Sequence, residues 1–348
     1  MPTALASSNY RISGELPLTV EAITDSSVAN LCQWLVDSAP VVKAALHKHG
    51  AIRFRGFDVD SPQTFERIAR AISPDLKNDY LGTSPRDAVT DYVFHASELP
   101  GFYPIPQHCE MSFCANPPRW LFFCAATPSA GESGETPLCD FRQVWHALDP
   151  QVRDRFVERG LKIVRNYAAP DAPAGDSMQL KAWDEMFQSR DKAVVEAKCR
   201  DEGFQPEWKA DGGLRIWSDS RVSRTHPETG ETAWYNHLTT FHVSTPAGEY
   251  KRIYRFRPTE QNRSFYELAQ SLEKEMRNKA PADRSMHTMY RDGSEIPDAD
   301  IEHVRDVVWQ HMQINVWKQG DVVAIDNASV AHGRLPYEGP REILVCWS

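Results

Sequence analysis

The sequence has no run of 18 apolar residues, no dense block of lysine and arginine, and no Cys-x-x-Cys pair. Each absence excludes something. Without a long apolar run, no membrane-spanning helix is expected. Without clustered cations, and with a formal net charge of −9, neither nucleic acid nor an anionic membrane is an expected partner. Without paired spacing, the seven cysteines read as reduced core thiols, even around the densest group, Cys109, Cys114, Cys124 and Cys139. Residues 1–14 lack a basic region leading into an apolar one, so they do not read as a signal peptide, and the cytoplasm is the expected location. There is also no internal repeat and no low-complexity tract.

What is present is ordinary globular material. The 348 residues are 41% hydrophobic and carry 10 Trp, 15 Phe and 11 Tyr, enough for a large core. Apolar spacing predicts helix over 27–48, with Leu31, Trp34, Leu35, Val42 and Leu46 inward and a break at Pro40. A strand follows at 51–57, then a helix opened by Ser61-Pro62. Residues 75–118 show little periodicity and read as a long, ordered surface segment. Residues 120–126 form a continuous apolar run, which suits a strand buried on both faces. Val144, Leu148, Val152 and Phe156, four apart, predict one helix. The stretch 161–300 is less regular, with a strand pair around 226–230 and a polar helix over 259–278. A last helix at 298–312 precedes strands at 322–326 and 343–347, with His332 on the loop between them. Scattered strands among peripheral helices predict a β core decorated by helices.

Two places have the spacing His-x-acid, which suits metal binding because residues two apart on a strand share a face. They are His108-Cys109-Glu110 and His226-Pro227-Glu228. With 12 His and 48 acids in the chain, roughly 1.7 such pairs are expected by chance, so spacing alone selects neither. Context does. Pro227 and Gly230 make the second read as an exposed hairpin turn. The first stands ahead of a buried strand. Far downstream, His332 sits between two strands, with Arg341 at the head of the second. Two histidines and a carboxylate on one face of a metal leave positions open for other ligands. An arginine nearby can grip a carboxylate with two parallel hydrogen bonds.

At this point the chain resembles the TauD/TfdA family of Fe(II)/2-oxoglutarate dioxygenases, and more closely its clavaminate-synthase-like and SyrP-like branch. The matching blocks are HGAIRFRGF at 49–57, IPQHCEMSF at 105–113, GESGETPLCD at 131–140, HPETGETAWYN at 226–236 and GDVVAIDNASVAHGRLPYEGPRE at 320–342. The resemblance implies a single domain over 1–348, mixed α/β with a predominantly β core. That core is a double-stranded β-helix, or jelly roll, with peripheral helices and a large insertion at roughly 161–300. It implies His108, Glu110 and His332 as iron ligands, with Thr136 and Arg341 holding the distal carboxylate of 2-oxoglutarate. Fe(II) is the implied cofactor, with 2-oxoglutarate and O2 as cosubstrates. The implied reaction is oxidation of an unactivated C–H with decarboxylation of 2-oxoglutarate to succinate. Glu110 speaks against a halogenase, in which a small residue takes the carboxylate's place. Taurine dioxygenase carries a substrate arginine four residues after the cosubstrate arginine; here that position is Val345, so a sulfonate is not the expected substrate.

Candidate substrate residues are Ser84, Arg86, Arg215, Asn236 and His237, with Trp234 and His242 as core alternatives. The expected substrate is a small polar molecule, an amino acid or related specialised metabolite, free or carrier-tethered. Hydroxylation, desaturation and cyclisation stay open, as does oligomeric state. Two other classes compete: a metal enzyme of different chemistry on a similar barrel, and a non-catalytic jelly-roll binding protein. The first would not need Arg341 and Thr136; the second would not need an intact triad.

Overall fold

The structure is a computed structural model that describes residues 5, 8–80, 86–131, 133–173 and 180–348. Its centre is a sandwich of two sheets. The larger runs, in spatial order, Tyr10–Ser13, Leu18–Ala22, Ala51–Arg55, Val322–Asp326, Trp120–Thr127, Glu342–Trp347 and Phe94–His95. The smaller runs Met312–Gln313, Leu138–Asp140, Val330–Arg334 and Ile105–His108. All the pairings are antiparallel except that of Leu18–Ala22 with Ala51–Arg55. This is the mixed α/β, jelly-roll architecture.

Alternation along the strands decides which residues fill which layer. On Val322–Asp326, Val322 and Ala324 pack with Leu31, Leu46, Phe65 and Ile68 of the N-terminal helices. Val323 and Ile325 point the other way and share a core with Leu138 and Val330 of the smaller sheet. On Val330–Arg334, Ala331 packs outward with Val144 and Val304 of the helices behind that sheet. Val330 packs inward. His332, two residues on, therefore faces the interior between the sheets, and its ring meets Phe123 of the larger sheet at 5.0 Å between centroids.

Several expectations need correction. His332 lies on a strand, not a loop. The first helical stretch divides at Ser38 into Val28–Asp37 and Ala39–His49, because Pro40 is accommodated in the first turn of the second helix. The helix through 144–156 is two, Phe141–Ala147 and Pro150–Arg159, with Asp149 capping the second from outside. Residues 106–114 are all buried, so the segment 75–118 is not confined to the surface. The stretch 161–300 contains a further sheet, Gln205–Trp208, Leu214–Ser220, Leu161–Ala168 and Met286–Tyr290, with Leu180–Ala182 beside Leu161–Ala168. Six of the seven cysteines are buried and Cys32 is half-buried. Among the described residues no helix is long and apolar enough to cross a membrane.

Candidate metal centre

Strand register builds the first part of the site. Val330–Arg334 pairs antiparallel with Ile105–His108, and His332 stands directly opposite His108. Their rings lie 4.5 Å apart between centroids. A bulge between His332 and Arg334 displaces the strand just beyond. Gly333 is required there by close approach: a Cβ would meet the Ile105 carbonyl oxygen at 2.5 Å and Gln107 Nε2 at 2.7 Å. Glu110 follows after the strand has ended, in a turn. Met111, next in the chain, adopts φ 51°, a left-handed conformation that costs about 1–2 kcal/mol for a residue with a side chain. Asn327 holds this turn. Its Oδ1 accepts the Glu110 N–H at 2.7 Å, and its Nδ2 donates to the Glu110 carbonyl at 3.0 Å and the Pro118 carbonyl at 2.8 Å.

Among the described residues three groups bring three ligand atoms within 4.8 Å of one another: His108, Glu110 and His332; His47, His226 and Asp326; His242, His287 and Glu295. Hydrogen bonds on the ring nitrogens separate them. A neutral imidazole has one N–H and one lone pair, and a metal needs the lone pair. Backbone N–H groups only donate and carbonyls only accept, so such partners fix the tautomer.

His108 Nδ1 lies 2.9 Å from the Pro106 carbonyl and must donate. Its lone pair is therefore on Nε2, free for a metal. Burial, followed by the charge of His332, pushes His108 down to about 4, so it is neutral near pH 7. His226 is the reverse case. Its Nδ1 accepts from the backbone N–H of Glu228 at 3.1 Å and of Thr229 at 3.0 Å. Nε2 must then carry the proton, which it donates to Asp326 at 2.8 Å. His242 Nδ1 likewise accepts from Ser244 N–H at 3.2 Å. His287 Nδ1 accepts from the Val243 N–H at 3.3 Å, which leaves the proton on Nε2, 2.9 Å from Glu295. Only the first group has the donor chemistry for Fe(II).

His226 was expected on an exposed turn; it is 3% exposed. Pro227 and Gly230 do make the turn, but the imidazole folds beneath it against Asp326. His47 Nδ1 also lies 3.0 Å from Asp326. Burial would raise Asp326, but hydrogen bonds from His226 and His47 outweigh it and hold the carboxyl down at about 2. Asp326 precedes Asn327, so this buried cluster adjoins the residue that grips Glu110. His226→Ala is expected to leave divalent metal binding intact while lowering stability by about 1–3 kcal/mol. Metal titration and urea unfolding read the two separately, and loss of binding would transfer the metal to this cluster.

The two residues expected to hold a dicarboxylate, Thr136 and Arg341, meet between the loop after residue 133 and the residue just before the last strand. Arg341 Nε donates to the Gly134 carbonyl at 2.8 Å, and Nη2 to Thr136 Oγ1 at 3.2 Å. Trp317 Nε1 also donates to Thr136 Oγ1, at 2.9 Å. With two donors on its oxygen, the Thr136 hydroxyl proton is left to be donated onward. Gly134 has φ +64°, and a Cβ would meet Arg341 Cδ at 2.9 Å, so only glycine lets the arginine lie against this turn. Burial and then Arg334 push Arg341 down to about 10; it stays charged near pH 7. Among the described residues no carboxylate pairs with it, and a buried cation calls for an anion.

The expected substrate residues separate sharply. Ser84 lies outside the described residues. His237 is at the centre: its ring is 4.9 Å from that of His108, and its Nδ1 is 2.7 Å from Ser112 Oγ. Arg86 is also there, but bonded to Glu110 at 3.1 Å. Arg215 is instead spent on Asn166, Glu207 and Asp283, on an interior strand of the further sheet. Asn236 has both ends on backbone, Nδ2 to Val222 and Oδ1 from Leu238. Trp234 is core, edge-on to Phe156, and the His242 ring lies tilted against that of His287, 4.7 Å between centroids. Tyr80, Ser112, Trp317 and Asn327 also contact the expected site residues. Asn327 alone carried a signal, the Asp-Asn turn closing an apolar strand.

The family model described as "Taurine catabolism dioxygenase TauD, TfdA family" matches residues 14–347. Dapdiamide synthesis protein DdaC of Enterobacter agglomerans is 28% identical over 300 residues, covering 86% of this chain and 82% of that protein. A clavaminate synthase-like protein of Arabidopsis thaliana is 29% identical over 305 residues, covering 86% and 81%. The fold is similar to that of PvcB from Pseudomonas aeruginosa, with a TM-score of 0.53, 13% identity, and coverage of 100% of this chain and 94% of that one. Another PvcB structure, described as an Fe, alpha-ketoglutarate dependent oxygenase from an isonitrile synthetic pathway, gives a TM-score of 0.51 at 12% identity, again covering 100% and 94%. A family-model match over nearly the whole chain means that this protein belongs to the TauD/TfdA family of Fe(II)- and 2-oxoglutarate-dependent dioxygenases.

Proposed function

We propose that His108, Glu110 and His332 hold Fe(II), that Arg341 and Thr136 anchor the distal carboxylate of 2-oxoglutarate, and that the enzyme oxidises an unactivated C–H of a small polar substrate. The observation that carries this is the tautomer of His108. Its Nδ1 is bound to the Pro106 carbonyl, so its Nε2 lone pair is available beside Glu110 and His332. Iron, 2-oxoglutarate and O2 together supply the oxidising power, with 2-oxoglutarate ending as succinate and carbon dioxide.

The chain's own residues bind, orient and exclude water. Asn327 fixes the Glu110 backbone. The Thr136 hydroxyl would donate to the cosubstrate carboxylate, because its oxygen already accepts from Trp317 and Arg341. Phe123 packs against His332, and Phe113 packs edge-on to His237, keeping the histidines in apolar surroundings. Held this way, the reacting groups need little reorganisation.

An amino acid or related specialised metabolite, free or carrier-tethered, fits best. Val345 is buried among apolar residues of the larger sheet, so no cation waits there for a sulfonate. Two relatives support a biosynthetic role for this chain: DdaC is described as a dapdiamide synthesis protein, and PvcB as belonging to an isonitrile synthetic pathway. Anaerobic addition of Fe(II) and 2-oxoglutarate to metal-free protein is expected to give the visible charge-transfer band of a 2-keto acid chelated to iron. A folded protein that gives no band would not be using this site for that chemistry. Product analysis then separates hydroxylation from desaturation or cyclisation.

A further inference from the structure

Arg86 does not have the surroundings of a substrate clamp. Nη2 donates to Glu110 Oε2 at 3.1 Å and to the Tyr80 hydroxyl oxygen at 3.2 Å. Nη1 donates to the backbone carbonyls of Ala96 and His95. The guanidinium lies over the Tyr80 ring, 4.4 Å from its centroid. The Tyr80 hydroxyl in turn donates to Glu110 Oε1 at 3.1 Å. Both oxygens of the carboxylate are thus engaged, one by a cation, and the side chains are only 11% and 5% exposed. Backbone carbonyls, which cannot move away with a side chain, fix the arginine in this place.

We propose that Arg86 is a positioning residue that stands in for the metal cation at Glu110 in the metal-free protein, and that its charge weakens the hold of the site on a divalent ion. The inference rests on His108, Glu110 and His332 being the metal ligands. A buried carboxylate without a cation is costly; before iron arrives, Arg86 is the fixed cation bonded to Glu110, and it keeps the ligand in place.

Two effects of Arg86 on the metal oppose each other. Holding the carboxylate still favours binding, and outer partners of this kind are worth roughly 10- to 100-fold in affinity. A guanidinium on a carboxylate also weakens its grip on a proton by roughly 10- to 1000-fold. A divalent ion carries twice the proton's charge and feels the same field more strongly. The charge effect wins, so removing the charge while keeping a hydrogen-bond donor tightens binding.

Arg86→Gln and Arg86→Lys separate the two effects. The probe is Mn(II), followed by loss of the EPR signal of the free aqueous ion. Arg86→Gln is expected to bind Mn(II) roughly tenfold more tightly than the parent. Arg86→Lys, which keeps the charge, is expected to show no tightening. Metal-free Arg86→Gln is expected to unfold at a lower temperature than the parent, with saturating Mn(II) closing the gap, as linkage requires. If metal-free Arg86→Gln does not fold, it can be folded with Mn(II) present; chelator-driven release is then expected to be slower than from the parent.

Equal or weaker binding in Arg86→Gln, or release no slower than from the parent, would overturn the proposal. So would tightening in Arg86→Lys as large as in Arg86→Gln. His332→Ala distinguishes the two levels of the argument. If it binds Mn(II) like the parent, the ligand assignment itself fails. If it loses Mn(II) while Arg86→Gln shows no tightening, only the role of Arg86 fails.

Discussion

His332→Ala is expected to erase the anaerobic charge-transfer band and, with it, all 2-oxoglutarate-dependent turnover. His332 stands opposite His108 in the strand register, and its Nε2 is 3.6 Å from Glu110 Oε2. In the proposed site it would be one of three protein ligands, and among the described residues no other histidine nitrogen completes this group within 4.8 Å. Its loss should therefore exceed the roughly 10- to 100-fold penalty for removing an outer partner of a ligand. The substitution removes a ring that packs on Phe123 and His108, so folding is checked by circular dichroism of the metal-free protein. A band of normal intensity in a folded variant would remove His332 from the metal, and a ligand outside these three groups would have to be sought.

The second large effect is expected at Arg341. Arg341→Met keeps an unbranched chain against Gly134 and Tyr337 but removes the cation. Truncating one partner of a buried, hydrogen-bonded charge pair costs about 2–5 kcal/mol. That corresponds to a rise of roughly 30- to 4000-fold in the 2-oxoglutarate concentration for half-saturation. Mn(II) binding without cosubstrate is expected to change little, because Arg341 touches no metal ligand. The measurement is a titration of the anaerobic band with 2-oxoglutarate. An unchanged midpoint would place the carboxylate anchor elsewhere. Thr136 shares the work through a hydroxyl held by Trp317, so Thr136→Val should raise the midpoint by less than Arg341→Met.

These two residues also mark how far the sequence could be read. His332 and Arg341 stand nine residues apart in a block that carries its own order: apolar strand, polar turn, histidine, arginine. His108-Cys109-Glu110 was chosen over His226-Pro227-Glu228 on local context, and the structure favours that choice for a different reason. The sequence reading held that His226 was exposed. It is buried, and what disqualifies it is a proton fixed on Nε2 by two backbone N–H groups on the other nitrogen. No pattern in the chain announces that, because the N–H groups of the turn reach Nδ1 only once the ring has folded beneath it.

Arg86 and Arg215 make the same point. Both are arginines in polar surroundings, and nothing local tells them apart. One reaches the Glu110 carboxylate 24 residues on; the other is neutralised by Glu207 and Asp283. Asn327 holds Glu110 from a distance of 217 residues in the chain.

By itself the sequence determined the donor inventory, the alternation that makes the strands, and the family blocks in order. These are properties of residue types and short spacings, and side-chain periodicity transmits them directly into local structure. Which arginine meets which acid, and which histidine lies inside, are set by the tertiary fold. Those outcomes depend on groups brought together from distant parts of the chain, where burial makes each hydrogen bond and each charge count.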